Sequence, residues 1–495
     1  MVKKLNPGPI GSDVDDFVTA ALESAQREYG QQRVYTAAEH EKFEYGVEIP
    51  PHALALRFLT SSNIWPLQRV TQSCGRTRTC KSAFMFELER WFLEADGVVG
   101  HYDTENKTSA SLLGSIIPPR FLEKGKLSQR YTLRRTGTIN EWQQMMGQDF
   151  ETLDSLYKAK GRKSFPIFWG VDPLMGSDSA DMAAAIHKLG EAPGRTFSDA
   201  PRMIWQFLRD LTTKTINIPI TVHFSHHERV ATGKRGGVDK AGGTGIEFLA
   251  TIDLHFRLGQ LQAAEEAYVA RSPEFTQMVR GSNVPIQGKH INILCKKNSN
   301  APDVDKRIYV PFRWTWLHDP TLPNGWRQIS WWDWETAAAD LMFHQERALR
   351  DVIDVRRNSS TVGANQKYMS DKLGIDKGVP ADEFGKLVTS DPELLAEIQA
   401  ALHIQQQVVF NADLLKVEKL AKKGKKPAAT TKPPARAGTK KKVAAKKPAK
   451  KPVVTKPMAE PKAPLPSPPS PRKLTTDGRV PAPDSLKPEG ELSSE

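Results

Sequence analysis

The sequence predicts an α/β protein with a mostly parallel sheet, an N-terminal helical segment, a small C-terminal α/β or helical domain, and a disordered basic tail. Three observations lead there. Between Ile49 and about Leu258, apolar strand-like runs alternate with helical segments, which is the pattern of strands covered by crossover helices. At Gly75–Ser82 a strand-like run passes through a tight loop directly into an apolar-rich helix. After about Lys419 the composition changes abruptly to Lys, Ala and Pro. The expected segments are residues 1–45 (helical), 46–315 (core), 316–415 (small domain) and 416–495 (tail).

The 495 residues carry a net charge of +13, with a pI near 9.4. That charge is unevenly placed. Lys416–Glu495 holds 21 Lys and Arg against 7 Asp and Glu, which leaves 49 against 50 for everything before it. The body is therefore near neutral, and the basicity belongs to the tail. Cys74, Cys80 and Cys295 make neither a disulfide framework nor a zinc spacing, which suits a reducing compartment. With neither a signal peptide nor a membrane-length apolar run, the expectation is a soluble, cytoplasmic protein.

In chain order, Ser12 to about Phe43 reads as one or two helices, with Val14, Phe17, Val18, Ala21 and Leu22 at helical spacing. Such a segment packs on its own domain or bridges subunits. The expected strands are Leu67–Thr71, Gly97–Tyr102, Phe165–Val171, Ile218–Phe224 and Ile246–Phe256. In open parallel sheets ligands bind beyond the carboxyl ends of strands, so the residues after these runs matter most.

Gly75-Arg76-Thr77-Arg78-Thr79-Cys80-Lys81-Ser82 fits the frame G-x-x-x-x-G-K-[ST], with Cys80 in place of the second glycine. A loop entering a helix N-terminus aims backbone N–H groups at an anion. Lys81 would add a charge at the β/γ-phosphates, and the Ser82 hydroxyl would ligate Mg²⁺. Arg76 and Arg78 would contact phosphate or remain solvated. Asp103-Thr104-Glu105 follows one strand and can orient or deprotonate an attacking water. Asp172 ends Phe165–Val171, as an acid that holds Mg²⁺ does. His223, His226 and His227 invite a metal reading, but neighbouring strand residues point to opposite faces and do not converge. Ala231–Gly243 is glycine-rich and basic, suited to ordering on a nucleic-acid backbone.

Together these residues resemble the RecA family of DNA recombinases, including its phage UvsX-like branch. The strongest likeness is Gly242-Gly243-Thr244-Gly245-Ile246-Glu247-Phe248-Leu249-Ala250-Thr251-Ile252, which is similar to the family segment after the second DNA-binding loop. Asp103–Glu105 is similar to the family's D-A-E, and Asp172 falls at its Mg²⁺-supporting acid. Gly190–Arg195 with Ala200–Met203 resembles the first DNA loop and the helix after it, and Ser225-His226 falls at the γ-phosphate sensor. Lys296-Lys297-Asn298 with Val310-Pro311-Phe312 resembles the stretch that reaches the ATP of a neighbouring subunit. Val388–Ile398 is similar to a helix of the small C-terminal domain.

The resemblance spans roughly residues 45–315 and thins to about 405. It implies a RecA-like P-loop ATPase core that takes ATP and Mg²⁺, binds single- and double-stranded DNA, and assembles as a helical filament. The roles carried over are Glu105, Lys81 and His226 for catalysis, Gly75–Ser82 and Lys297 for ATP, and Ser82 and Asp172 for the metal. Arg195, Arg229, Lys234, Arg235, Lys240, Gly242 and Gly243 are carried over for DNA. Departures are Cys80 for Gly, His226 for the sensor Gln and Glu247 for Lys; all bear on turnover more than on binding.

Trp314, Trp316, Trp326, Trp331, Trp332 and Trp334 lie close together, and packing of a small domain accounts for them better than base stacking. Thr336–Val355 and Val379–Val409 read as helical. The tail's lysine runs suit weak, salt-sensitive phosphate binding through counterion release. Two further classes fit parts of this pattern: a non-catalytic DNA-binding scaffold of the same fold, and a hexameric helicase motor.

Overall fold

The computed structural model describes residues 20–26, 44–123, 125, 127–160, 165–174, 199–215, 218–230, 238–240, 249–259, 274–278, 285–299, 306–320, 325–358 and 367–410. Arg195, Lys234, Arg235, Gly242 and Gly243 lie outside the described residues, as do residues 1–19 and 27–43 of the N-terminal segment and the whole tail. The chain divides into two compact units at Lys426/Pro427, and the second falls entirely outside the described residues.

The strands are β1 (Tyr45–Glu48), β2 (Ile64–Pro66), β3 (Arg69–Gly75), β4 (Val98–Asp103), β5 (Tyr131–Arg135), β6 (Ile167–Asp172), β7 (Ile220–Val230), β8 (Val238–Lys240) and β9 (Ile252–Leu258). They continue as β10 (Glu274–Met278), β11 (Pro285–Asn298), β12 (Arg307–His318), β13 (Trp326–Trp332), β14 (Arg356–Arg357), β15 (Lys367–Ser370), β16 (Ile375–Pro380) and β17 (Val408–Val409). The helices are α1 (Leu54–Thr60), α2 (Lys81–Glu94), α3 (Ala110–Ile116), α4 (Ile139–Lys160), α5 (Asp199–Thr215), α6 (Trp334–His344), α7 (Glu346–Leu349), α8 (Ala381–Ser390) and α9 (Pro392–Ala401).

The main sheet runs β13-β12-β11-β9-β3-β7-β6-β4-β5, with β10 beside β11 and β8 beside β7. From β9 to β5 every pairing is parallel; β11, β12 and β13 extend the sheet antiparallel. The predicted α/β class with a mostly parallel sheet is thus what the chain forms. Both faces are covered, and the central strands bury polar side chains as well as apolar ones: Thr71, Gln72 and Ser73 of β3 and Thr221, His223 and Ser225 of β7 are fully enclosed. On one face α2 lays Phe84 5.1 Å from Phe256 and Phe92 5.0 Å from Phe168, ring centre to ring centre. On the other, Trp142 of α4 meets Phe207 of α5 at 5.2 Å, and Phe150 meets Trp169 at 4.5 Å.

Strand ends differ from expectation in one informative place. The run expected over Leu67–Thr71 begins later and ends later, at Arg69–Gly75. Gln68, at φ 58°, turns the chain out of β2, and polar Gln72 and Ser73 hide the continuation from a hydropathy reading. The boundary expected at residue 316 falls within β12, whose pairing with β13 continues the main sheet. Trp314, Trp316, Trp326, Trp331 and Trp332 belong to that extension, and Trp334 opens α6: Trp332 and Trp334 are buried and stacked 5.8 Å apart, whereas Trp316 and Trp326 are about half exposed. The helix expected over Thr336–Val355 breaks at Gln345 into α6 and α7. No helix among the described residues is long and apolar enough to cross a membrane.

Candidate functional site

β3 ends at Gly75, where only glycine fits: a Cβ there would stand 2.4 Å from the Phe256 carbonyl oxygen and 2.9 Å from Thr79 Oγ1. The chain then turns through exposed Arg76, Thr77 and Arg78 and enters α2 at Lys81. Thr79 is buried and its hydroxyl donates to the Arg76 carbonyl at 2.8 Å, closing the turn. Lys81 is 5% exposed, and its ammonium donates to the carbonyls of Gly75 and Arg76, both at 2.9 Å. The cation therefore lies within the loop's concavity. Burial lowers the Lys81 pKa, opposed chiefly by the negative charge of Asp172.

Cys80 takes the left-handed conformation, φ 62° and ψ 24°, at the N-cap of α2. This explains why the motif frame asks for glycine at this position: a Cβ is unfavourable in that backbone region. The side chain itself packs against the core beneath the helix, and burial pushes the thiol up to about 12 despite the nearby charges of Lys289 and Lys81. The thiol is neutral. The obstacle at Cys80 is thus a backbone one more than a blocked loop.

The neighbouring strands bring the acids to the same face of the sheet as α2. Asp172, the last residue of β6, accepts a short hydrogen bond from the Ser225 hydroxyl on β7. Asp103, in register with Asp172, accepts backbone N–H groups from Lys107 at 3.1 Å and Thr108 at 2.8 Å. Burial raises the Asp103 pKa, but those donors outweigh it, so the carboxyl is held below its usual range. They also fold residues 103–108 into a turn that presents Glu105. The Glu105 carboxylate accepts from Lys107 Nζ at 2.6 Å and lies 3.8 Å from His227 Nε2.

That contact involves His227 and not His226, the residue the resemblance singles out. His226 is fully buried. It pairs with Cys74, on the sheet face away from α2, while His227 pairs with Gly75 at the loop mouth. Strand alternation from Ser225 selects His227, not His226, as the residue facing Lys81 and Glu105. Burial lowers the His227 pKa and the Lys81 charge lowers it further, so the ring is neutral there at pH 7. His223 shares the α2 face, between Thr71 Oγ1 at 2.9 Å and Ser73 Oγ at 3.2 Å. The three histidines accordingly do not converge.

A buried relay braces this arrangement. Glu89 of α2 meets His101 Nδ1 at 2.7 Å and accepts from the Tyr131 hydroxyl at 2.8 Å, while His101 Nε2 lies 3.4 Å from Thr108 Oγ1. Helix α2 is thereby tied to the turn that carries Glu105. Burial opposes the His101 cation, but the Glu89 charge and hydrogen bond prevail and raise its pKa.

The remaining predicted residues fall elsewhere. Lys297 pairs with Asp253 near the start of β9, about 10 Å along the strand from the level of Gly75. It does not line the loop of its own chain. Lys289, which the sequence reading did not select, lies close enough for its charge to act on Cys80. Arg229 and Lys240 lie on the paired strands β7 and β8, in register with Asp239 and Glu228 respectively. Comparison with models of known protein families and with curated proteins gives no match.

Proposed function

We propose that this chain is an ATP-dependent DNA recombinase of the RecA kind, which assembles on single-stranded DNA with ATP and Mg²⁺ and pairs it with a homologous duplex. The observation that carries the reading is a convergence. Lys81 follows β3, Asp172 ends β6, Ser225 and His227 lie on β7 and Glu105 follows β4; these are adjacent parallel strands, and the five side chains share one face. Phosphoryl transfer to water needs this set: a cation at the γ-phosphate, a metal-supporting carboxylate and a carboxylate that orients water. In this scheme Lys81 leaves its two carbonyls for phosphate oxygens. Ser82 and Asp172 hold Mg²⁺, Glu105 aligns the water, and His227 reads the γ-phosphate beside it.

The DNA-contacting roles of Arg195, Arg229, Lys234, Arg235, Lys240, Gly242 and Gly243 rest on the sequence resemblance, and the tail adds salt-sensitive affinity. The test is ATP hydrolysis with and without single-stranded DNA, together with electron microscopy in a slowly hydrolysed ATP analogue. DNA-stimulated hydrolysis and helical filaments are expected, both abolished by Lys81→Ala. Rings would favour a helicase motor. DNA binding indifferent to ATP, with no hydrolysis, would favour the non-catalytic scaffold.

A further inference from the structure

On the sheet face turned away from α2, directly behind the phosphate loop, a second cluster spans three adjacent strands. Cys74 of β3 is in register with His226 of β7 on one side and His255 of β9 on the other. Glu228, two residues beyond His226 on β7, joins them. The sulfur of Cys74, a ring nitrogen of His255 and a carboxylate oxygen of Glu228 all lie within 4.8 Å of one another. His255 Nδ1 stands 3.2 Å from Glu228 Oε1, and its Nε2 stands 3.4 Å from Asp253 Oδ2. Cys74 is completely buried, and the side chains of Glu228 and Asp253 are nearly so.

We propose that Cys74, His255 and Glu228 bind a zinc-type divalent cation, with Asp253 as the carboxylate that orients His255. The donor chemistry selects the class. A thiolate, an imidazole and a carboxylate suit Zn²⁺, whereas Mg²⁺ and Ca²⁺ prefer oxygen alone. Tetrahedral zinc spaces its ligand atoms about 3.3–3.8 Å apart, so the cluster needs to contract by roughly 1 Å or less. Zinc-bound histidines characteristically donate their second nitrogen to a carboxylate, and His255 already has one nitrogen toward the ligand carboxylate and the other toward Asp253. His226, beside Cys74 on the same face, is the nearest protein candidate for a fourth position, with water as the other. Binding replaces the proton shared by His255 and Glu228 and releases the Cys74 proton. The cation would clamp β7, β3 and β9 together immediately behind Gly75, which stiffens the strand that ends in the phosphate loop.

The site does not depend on the nucleotide reading, so it is tested without nucleotide. The full chain is desalted in millimolar Mg²⁺, its zinc is measured by elemental analysis, and the apo form is titrated with Zn²⁺ and Co²⁺. Expected are one Zn²⁺ per chain and a thiolate-to-cobalt charge-transfer band. Cys74→Ser and His255→Gln should lose both, and Asp253→Asn should weaken zinc binding about 10–100-fold. Ser82→Ala, which touches only the proposed Mg²⁺ position, should keep both. Each variant is checked by circular dichroism. Because Cys74 lies in the core, Glu228→Gln serves as a milder change that should remove a ligand and leave the fold. Absence of stoichiometric zinc, a cobalt complex without the thiolate band, or zinc content unchanged in folded Glu228→Gln and His255→Gln would overturn the proposal and leave the cluster as an ion-pair network only.

Discussion

Replacing Cys80 separates two effects that a glycine-requiring position usually confounds. An L-residue in the left-handed region costs about 1–2 kcal/mol, which glycine escapes. Glycine in turn loses about 0.5–1 kcal/mol more backbone entropy on folding. For Cys80, at φ 62° and ψ 24°, the balance favours Gly over Ala by about 0.5–1 kcal/mol. In an exposed helix interior the same pair differs by about 1 kcal/mol in the opposite direction. Ala also loses the half-buried thiol that packs on the core. This is worth about 0.5–1 kcal/mol by area, so the expected order is Cys80 about equal to Gly, both above Ala. Cys80→Val should fall furthest, because a β-branched residue in this region is a severe outlier. The assay is the urea midpoint of each full-length variant at unchanged slope. Since the thiol points into the core, Cys80→Gly should leave ATP affinity within about threefold. A Gly variant less stable than Ala by about 1 kcal/mol would refute the backbone argument. A large gain in ATP turnover on Cys80→Gly would show instead that the side chain had obstructed the site.

Five other outcomes follow from the same geometry. Lys81→Met should weaken ATP binding at least tenfold by equilibrium titration, since a charged hydrogen bond is worth about 1.5–3 kcal/mol. Gly75→Ala should destabilise by about 2–3 kcal/mol and abolish nucleotide binding, because the added methyl group meets backbone 2.4 Å away; a neutral midpoint contradicts it. Glu105→Gln should stop hydrolysis while ATP still binds, and His227→Ala should impair hydrolysis more than His226→Ala in folded protein. The His223 ring is kept neutral by burial, with its pKa lowered to about 3. The unfolded chain takes up that proton below about 6.5, so this group's contribution to stability falls as pH drops from about 6.5 to about 3. At 1.36 kcal/mol per pH unit the loss totals about 5 kcal/mol. His223→Gln should flatten that limb of the acid-unfolding curve, and an unchanged limb would exclude His223 as its source.

The sheet was legible because its signals are local. Apolar runs leading to Asp103 and Asp172 announce strands whose ends carry polar chemistry, and β4 and β6 follow, whereas β3 runs on through polar Gln72 and Ser73 to Gly75. Pairing order was not legible, because β3 lies between β7 and β9, which are more than a hundred residues away in sequence. The choice between His226 and His227 follows from the two-residue strand period, which puts His227 level with Gly75 on the α2 face and His226 on the other. Lys289 and the Cys74–Glu228–His255 cluster had no signal at all. Each ligand sits alone on its own strand, and no spacing rule links a residue of β3 to one of β9. Five of the six tryptophans expected to pack a small domain lie on β12 and β13 and continue the main sheet, since nothing in composition marks a strand that merely joins a larger partner.

The small sheet β17-β1-β2 joins the two ends of the described fold. β1 runs parallel to β17, Asn63 exchanges hydrogen bonds with Gln407, and Gln407 reaches Glu44, 363 positions earlier. A ribosome making about 5–20 residues per second needs on the order of 20–70 s to cross that interval. For all of that time β1 has β2 on one edge and nothing yet synthesised to cover the other. The nascent chain therefore carries an open β1 edge until β17 emerges, which gives a holding chaperone a defined target. A ribosome stalled before residue 408 should display β1 to protease, and one stalled after the tail should not.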